Sequence, residues 1–230
     1  MNFFKTELNY LGHVARSEGV RPDPEKVKAI KNFPIPKSTT DVKSFLGLTG
    51  YYRKFIPQFS KIAKPLTELL KKDQKWRWDV EQIESFQFLQ ASLMREPVLQ
   101  LPDFTKQFVL TTDASGYAVG AILSQGKIGR DKPIAFASRI LNQAEQNYST
   151  IEKELTAILW ACRYFRPYLL SRNFTIVTDH KPLTCVFSIK DPSSRLLRWR
   201  LLLEEYDYTI AYKARKKNVN ADALSRNRKC

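Results

Sequence analysis

Cysteine is scarce in this sequence, which has only three among 230 residues. Three thiols cannot form a fully paired disulfide framework, and their spacing is not that of a metal site. The residues are Cys162, Cys185 and Cys230. This usage excludes a small scaffold held by disulfides and favours a reducing, intracellular compartment.

Long apolar runs are absent as well. Nowhere do about 18 apolar residues follow one another, so the sequence predicts no transmembrane helix and no membrane partner. The start of the chain has only the apolar pair Phe3 and Phe4 before charges appear, so we expect no secretory leader. Internal repeats and low-complexity tracts are also absent, and we expect a soluble globular protein.

Positive charge is abundant. Lysine and arginine number 38 against 23 acidic residues, which gives a formal charge of +15. The basic residues are spread along the whole length, so a polyanion is the expected partner. With 43% hydrophobic and 12% aromatic residues, the chain can build one large core or two modest ones.

The first hundred residues favour helices separated by prolines. Asp23 and Pro24 form a cap and first-turn pair, which begins the first predicted helix. Three more helices are predicted from apolar spacing: one from Thr40 or Asp41, one over Ser60–Leu70, and one from about Asp79 until Pro97. We therefore predict a small, basic, helical module.

From Phe108 the pattern changes to alternating, β-branched runs. Five strands are predicted: Phe108–Thr112, Ala118–Ser124, Pro133–Ser138, Phe174–Thr178 and Tyr208–Tyr212. The first three suggest an antiparallel meander. A capping box of Ser149 and Glu152 announces a long helix over Thr150–Tyr164, and a second helix rich in leucine and arginine covers Ser193–Glu205.

Four acidic residues stand at the ends or beginnings of these elements. Asp113 and Asp179 each end a predicted strand, Glu154 lies one turn into the long helix, and Asp222 begins a last short helix. If the two strands are neighbours, both aspartates emerge at one edge of the sheet. Taken singly, each acid is equally an ordinary cap, turn or surface residue.

Carboxylates drawn from several elements suit magnesium, with manganese as the alternative ion, whereas zinc would want histidine or cysteine. Two such ions about 4 Å apart can cleave a phosphodiester. The sequence therefore points to a metal-dependent nuclease.

The contexts of these acids resemble a known family. TDAS from Thr112, EKELTAI from Glu152, TDHKPL from Thr178 and ADALSR from Ala221 resemble, in this order, motifs of the ribonuclease H (RNase H) domain of gypsy-class long-terminal-repeat retrotransposon polyproteins. The resemblance implies an α/β fold, with a mixed five-stranded sheet and flanking helices. It also implies an endonuclease that cuts the RNA strand of RNA:DNA hybrids with two Mg²⁺ ions. The implied metal ligands are Asp113, Glu154, Asp179 and Asp222, where Glu154 is preferred to Glu152 because the family pattern is Glu-Leu-x-Ala-Ile.

Upstream segments resemble the reverse transcriptase of the same polyproteins. YLGH from Tyr10, FLGLTGYYRKFI from Phe45 and PLT from Pro65 look like its palm end and its thumb or connection. The implied domains are 1–19 (end of the palm), 20–100 (helical thumb/connection) and 101–230 (RNase H). The family's Tyr-x-Asp-Asp polymerase motif does not occur in the sequence. We therefore expect no polymerisation by this chain alone, and expect an upstream palm and fingers as partners in a full-length polyprotein.

The sequence departs from the family in the loop before Asp222. Arg215 stands where the family usually has a glycine, which would tolerate positive φ more easily. The histidine that often assists product release in related RNase H domains is missing from residues 212–222. We expect catalysis to survive with an altered loop.

Substrate contacts are predicted from basic residues and turns. A hybrid must be held through its phosphates and read through 2′-hydroxyls. The nucleic-acid-binding candidates are Ser115, Gly116, Arg195, Arg198, Lys213, Arg215, Lys216, Lys43 and Arg53. The alternatives are a plain hairpin turn at Ser115 and Gly116, and a solvated basic helix face around Trp199 with Leu196, Leu197 and Leu201 packed inward.

Two competing hypotheses remain open. The chain could be a catalytically silent, nucleic-acid-binding fragment of a retroelement, or it could function only inside a longer polyprotein. The presence of all four acids argues against decay, because drift would readily lose one of them.

Overall fold

The computed structural model describes residues 7–95, 97–183 and 194–213. Contacts between Cα atoms divide the chain into two compact units, Met1–Leu101 and Pro102–Cys230. Among the helices of the described residues, none has the length and apolar character needed to cross a membrane.

The first unit begins with a small antiparallel sheet that the sequence patterns did not predict. Its strands are β1 (Glu7–Tyr10), β2 (His13–Arg16) and β3 (Gly19–Pro22). Glu7 pairs with Arg16 across β1 and β2, and their side chains form an ion pair. Four-residue strands are too short to show a clear alternation of apolar residues, which explains why the sequence interpretation missed them.

Helices make up the rest of the first unit. They are α1 (Pro24–Lys31), α2 (Thr39–Tyr51), a 3₁₀ turn (Arg53–Phe55), α3 (Phe59–Ile62), α4 (Lys64–Glu68) and α5 (Val80–Met94). The predicted cap of α1 is confirmed, because the Asp23 carboxylate accepts a hydrogen bond from the Glu25 N–H at 2.9 Å. The single helix predicted over Ser60–Leu70 is wrong. The segment forms two short helices, and Pro65, which has no N–H to donate, lies in the first turn of the second.

The core of the first unit lies where α5 packs on α1, α3 and α4. Phe45 and Phe86 place their ring centroids 4.5 Å apart, and Ile30 and Leu89 are fully buried. The Trp78 ring meets Phe86 edge-on at 6.1 Å and packs against α5.

The second unit is built on a five-stranded sheet. Its strands are β4 (Phe108–Ala114), β5 (Ala118–Gln125), β6 (Lys132–Ile140), β7 (Phe174–Thr178) and β8 (Tyr208–Tyr212), in the order β6-β5-β4-β7-β8. The expected meander is confirmed, since β4, β5 and β6 pair antiparallel. In contrast, β7 runs parallel to both β4 and β8. The sheet is therefore mixed, as expected.

Four helices of the second unit lie within the described residues. They are α6 (Gln143–Gln146), α7 (Thr150–Tyr164), α8 (Arg166–Leu169) and α9 (Ser194–Leu203). The capping box of Ser149 and Glu152 at the start of α7 is confirmed. Because α7 packs on β4 and β5, the side chains of its first turns are held at a fixed position relative to the sheet.

The core of the second unit fills the space between α7 and the sheet. Leu155 and Ile158 of α7 are buried in one cluster with Phe108 and Leu110 of β4 and Phe174 of β7. Fully burying each such side chain contributes about 1.5–3 kcal/mol. The residue immediately before Leu155 is Glu154, so this packing holds Glu154 against the sheet.

Candidate active site

Asp113 and Asp179 stand at matching positions on neighbouring strands. The register of the parallel pair β4 and β7 places Thr111 opposite Val177. Each aspartate comes two residues after these partners: Asp113 is the next-to-last residue of β4, and Asp179 directly follows β7. The parallel pairing therefore brings both carboxylates to the carboxyl edge of the sheet, where α/β folds bind their ligands.

Glu154 approaches the same edge from α7. Its side chain is only 5% exposed, although glutamate is almost never fully buried unless it is paired. One carboxylate oxygen from each of Asp113, Glu154 and Asp179 lies within 4.8 Å of the others. The structure thus brings together three of the four predicted ligands. The fourth, Asp222, lies outside the described residues.

The donor set fits a hard divalent cation. All three side chains offer carboxylate oxygens, which Mg²⁺ and Mn²⁺ prefer, and the cluster includes neither histidine nor cysteine. Three negative charges this close repel one another, and a cation between them would relieve that repulsion. Cys162, by contrast, is packed inside the core, where burial raises the pKa of its thiol to about 12.

Residues 103–206 match the family model of the RNase H-like domain found in reverse transcriptase. Over 225 residues the chain is 53% identical to the retrovirus-related Pol polyprotein from transposon 297 of Drosophila melanogaster, covering 97% of the chain and 21% of that protein. It is 44% identical to the corresponding polyprotein from transposon 412 of the same organism, covering 98% of the chain and 18% of that protein.

This chain belongs to the retrotransposon Pol family, in its RNase H region. It spans about a fifth of the length of these curated relatives. A foamy viral protease-reverse transcriptase in complex with dsDNA has the same fold, with a TM-score of 0.77, 23% identity, and coverage of 92% of this chain and 45% of that one.

Around the acidic cluster of the RNase H domain, the β4–β5 hairpin uses Ser115 for its own turn. The Ser115 N–H donates to the Ala118 carbonyl at 2.8 Å, and the Ser115 hydroxyl donates to the same oxygen at 2.9 Å. The plain-turn interpretation therefore accounts for Ser115. Gly116, the next residue, is exposed at the tip, so its part in substrate binding stays a prediction.

The basic candidates of the RNase H domain differ in what they contact. Arg195 donates to Glu152 at 2.8 Å and places its guanidinium 4.5 Å from the Tyr148 ring centroid, whereas Arg198 is exposed. The Lys213 N–H donates to the Thr178 carbonyl at 3.0 Å, which sets Lys213 beside the end of β7. Arg215 and Lys216 lie outside the described residues.

The leucines of α9 differ from the alternative in which Leu196, Leu197 and Leu201 all pack inward. Leu196, Trp199 and Leu203 pack on the core, while Leu197 and Leu201 are 47% and 58% exposed. The expectation that Leu197 and Leu201 point inward is wrong, because the helical period places them on the opposite side of α9 from Leu196 and Leu203.

The remaining candidates belong to the first unit. Lys43 is exposed on α2, and Arg53 lies with its guanidinium 5.6 Å from the Phe59 ring centroid. His13 stacks at 5.7 Å on Phe55, and burial lowers its pKa. This packing gives His13 a structural role in the first unit.

One set of contacts near the cluster was missed by sequence reasoning. Glu152 completes the cap of α7 and also binds Arg195, and the hydrogen bonds from Ser149 and then Arg195 hold the pKa of its carboxyl below the usual range. The capping box predicted only the first of these contacts. Arg195 is 43 residues away in sequence, and no local pattern links it to Glu152.

Proposed function

We propose that this chain is a metal-dependent endonuclease that cuts the RNA strand of RNA:DNA hybrids. The observation that supports it most is the cluster of Asp113, Glu154 and Asp179 at the carboxyl edge of the β4–β7 pair, in a domain of the reverse-transcriptase RNase H family. We propose Asp222 as the fourth ligand, on the resemblance of its motif alone.

In this proposal the three clustered carboxylates, together with Asp222, hold two Mg²⁺ ions. When bound, such ions activate a water for attack on a phosphodiester and stabilise the leaving oxygen. The two aspartates sit on hydrogen-bonded strands, so their spacing is fixed by the sheet. Glu154 is fixed by the packing of its neighbour Leu155 in the core, which limits how far the third carboxylate can move.

The substrate is proposed from charge and from the relatives. A formal charge of +15 favours a nucleic acid, and we propose Arg198 and Lys213 of the second unit as contacts to its phosphates. A foamy viral protease-reverse transcriptase of the same fold, with a TM-score of 0.74 and 24% identity over 91% of this chain and 29% of that one, is described in complex with an RNA/DNA hybrid. Discrimination of RNA from DNA would rest on contacts to the 2′-hydroxyl. In a full-length polyprotein, an upstream palm and fingers would supply polymerisation.

The competing proposal is a silent binding fragment. It predicts hybrid binding that is as tight as in an active enzyme but without turnover. The clustering of three acids argues for the active alternative, because mutually repelling carboxylates destabilise a fold unless a cation is bound there.

The test is cleavage by the purified chain of end-labelled RNA:DNA hybrid, double-stranded RNA and double-stranded DNA, each with Mg²⁺, Mn²⁺ or EDTA. We expect cuts in the RNA strand of the hybrid only, and none in EDTA. An Asp179→Asn variant should bind the hybrid but not cut it. Hybrid binding by the wild type without cleavage in either metal would reject the nuclease and favour the binding fragment.

A further inference from the structure

The first turn of α7 is tied to α9 through a single carboxylate. Glu152 Oε2 accepts hydrogen bonds from the Ser149 N–H at 2.9 Å and from the Ser149 hydroxyl at 2.8 Å. Its other oxygen, Oε1, accepts from Arg195 Nη1 at 2.8 Å. Both oxygens are therefore engaged, one by the cap of α7 and the other by α9.

Two residues of α9 also contact Tyr148, the residue before this cap. The Arg195 guanidinium lies 4.5 Å from the centroid of the Tyr148 ring, and the Trp199 ring lies 5.7 Å from it. Positions i and i+4 share one face of a helix, so Arg195 and Trp199 reach the same ring together. Leu196 packs against the core beside them, which fixes α9 in place.

This arrangement bears directly on Glu154. Glu152 is the third residue of α7 and Glu154 the fifth, so both lie within the part of a helix that frays when its cap is lost. The Glu152 side chain is 19% exposed and that of Arg195 is 49% exposed, so the ion pair is partly shielded from water. A shift of the first turn would move the Glu154 carboxylate relative to Asp113 and Asp179.

We propose that Arg195 is a positioning residue of the candidate active site, which acts through Glu152 to hold Glu154 against the two strand-end aspartates. The inference rests on the proposed function for its link to catalysis. It assigns Arg195 a role other than phosphate contact, because its guanidinium is already committed to Glu152 and Tyr148. Arg198, exposed on the same helix, keeps the role of a substrate contact.

The test uses three variants with matched chemistry. Arg195→Gln and Glu152→Gln each remove one charge of the pair, and glutamine is accepted at this position of a capping box, so Glu152→Gln keeps the cap. Arg198→Gln removes an equal charge from the same helix and serves as the control. Arg195→Lys keeps the positive charge and should rescue much of the effect.

The primary measurement is Mn²⁺ binding followed by electron paramagnetic resonance without nucleic acid. Mutation of a residue that orients a metal ligand typically weakens metal affinity by about 10–100-fold. Arg195 acts on Glu154 only through Glu152, so we expect a smaller effect. We expect Arg195→Gln and Glu152→Gln each to weaken Mn²⁺ binding by about 3–10-fold. The double variant should be no weaker than either single one, since both report the same contact. Arg198→Gln should bind Mn²⁺ as the wild type does.

Steady-state cleavage then separates positioning from substrate binding. Arg195→Gln should lower kcat at limiting metal, and kcat should return to the wild-type value at high metal. Its KM for the hybrid should be unchanged, whereas Arg198→Gln should raise KM. Unchanged Mn²⁺ affinity in Arg195→Gln, with a raised KM, would overturn the proposal and make Arg195 a phosphate contact. If the wild type binds Mn²⁺ but cuts nothing, the proposed function fails while the binding series still decides the positioning. If the wild type binds no Mn²⁺, both fail.

Discussion

The crowding of three carboxylates predicts that the metal-free protein gains stability when one charge is removed. Asp113 lies within 4.8 Å of both Glu154 and Asp179, oxygen to oxygen. Two full charges at this separation repel by about 0.9 kcal/mol in water and about 3.5 kcal/mol at an effective dielectric constant of 20. Asp113 and Asp179 are half-buried and Glu154 is buried, so we take a value near the lower end, about 1 kcal/mol, as the minimum for each pair.

Asp113→Asn removes two such repulsions, so it should stabilise the metal-free protein by about 2 kcal/mol, which corresponds to a rise in Tm of about 4 °C or more. Added Mg²⁺ should reverse the order. The wild type gains RT ln(1 + [Mg²⁺]/Kd), about 2.7 kcal/mol at hundredfold excess over Kd, which exceeds the difference of about 2 kcal/mol, and the variant loses most of this gain.

The assay is thermal unfolding by differential scanning calorimetry, in EDTA and across a Mg²⁺ titration. Asp103→Asn is the matched control, since hydrogen bonds from Lys106 and Thr105 lower the pKa of that carboxyl, which lies away from the cluster, to about 2. This second variant should lower Tm in EDTA and keep the full Mg²⁺ response. If Asp113→Asn leaves Tm in EDTA unchanged or lower and still shows the Mg²⁺ response of the wild type, repulsion among the three carboxylates does not destabilise the metal-free protein.

Three further predictions concern stability and reactivity away from the cluster. Gly19 has φ of +142° and a Cβ there would lie 2.2 Å from the Leu99 carbonyl oxygen, so Gly19→Ala should destabilise the first unit by about 2 kcal/mol or more, measured by urea unfolding. The hydrogen bonds from Arg139 lower the pKa of Glu145, so their stabilisation is present above the unfolded pKa and is lost as pH falls through the folded one. The Tm difference between wild type and Glu145→Gln should therefore be largest at neutral pH and shrink as the pH falls through the folded pKa, and a difference that does not depend on pH would contradict this. Since burial raises the pKa of Cys162 to about 12, iodoacetamide should not label Cys162 in the folded protein at about pH 8 but should label it in urea, as read by peptide mass spectrometry.

The parts of the fold that were predicted from the sequence have strong local patterns. The capping box at Ser149 and the apolar period after it gave α7 over Thr150–Tyr164, as observed. The apolar, β-branched runs before Asp113 and Asp179 predicted two strands. In the structure these strands pair in parallel, which brings the two aspartates together. The sequence could not show that pairing by itself, because register depends on contacts between distant residues.

The parts that were missed lack such patterns. Strands β1 to β3 have four residues each, too few for a period, and the break at Pro65 divides a segment whose apolar spacing looks continuous. The phase of α9 was wrong for Leu197 and Leu201, since a helix rich in leucine offers more than one apolar face. The contact between Arg195 and Glu152 depends on tertiary packing alone. Asp222 lies outside the described residues, so its role stays a prediction.

Cleavage of a labelled RNA:DNA hybrid by Glu154→Gln, under single-turnover conditions with Mg²⁺, decides whether the carboxylate cluster is a catalytic metal site. Glutamine keeps the size of the buried side chain but removes its charge, and Glu204→Gln on the same unit is the matched control. We expect Glu154→Gln to cut at least about 100-fold more slowly than the wild type while it binds the hybrid equally well, and Glu204→Gln to cut normally. If Glu154→Gln cuts the RNA strand at the wild-type rate, the carboxylate cluster is not the metal site of this nuclease.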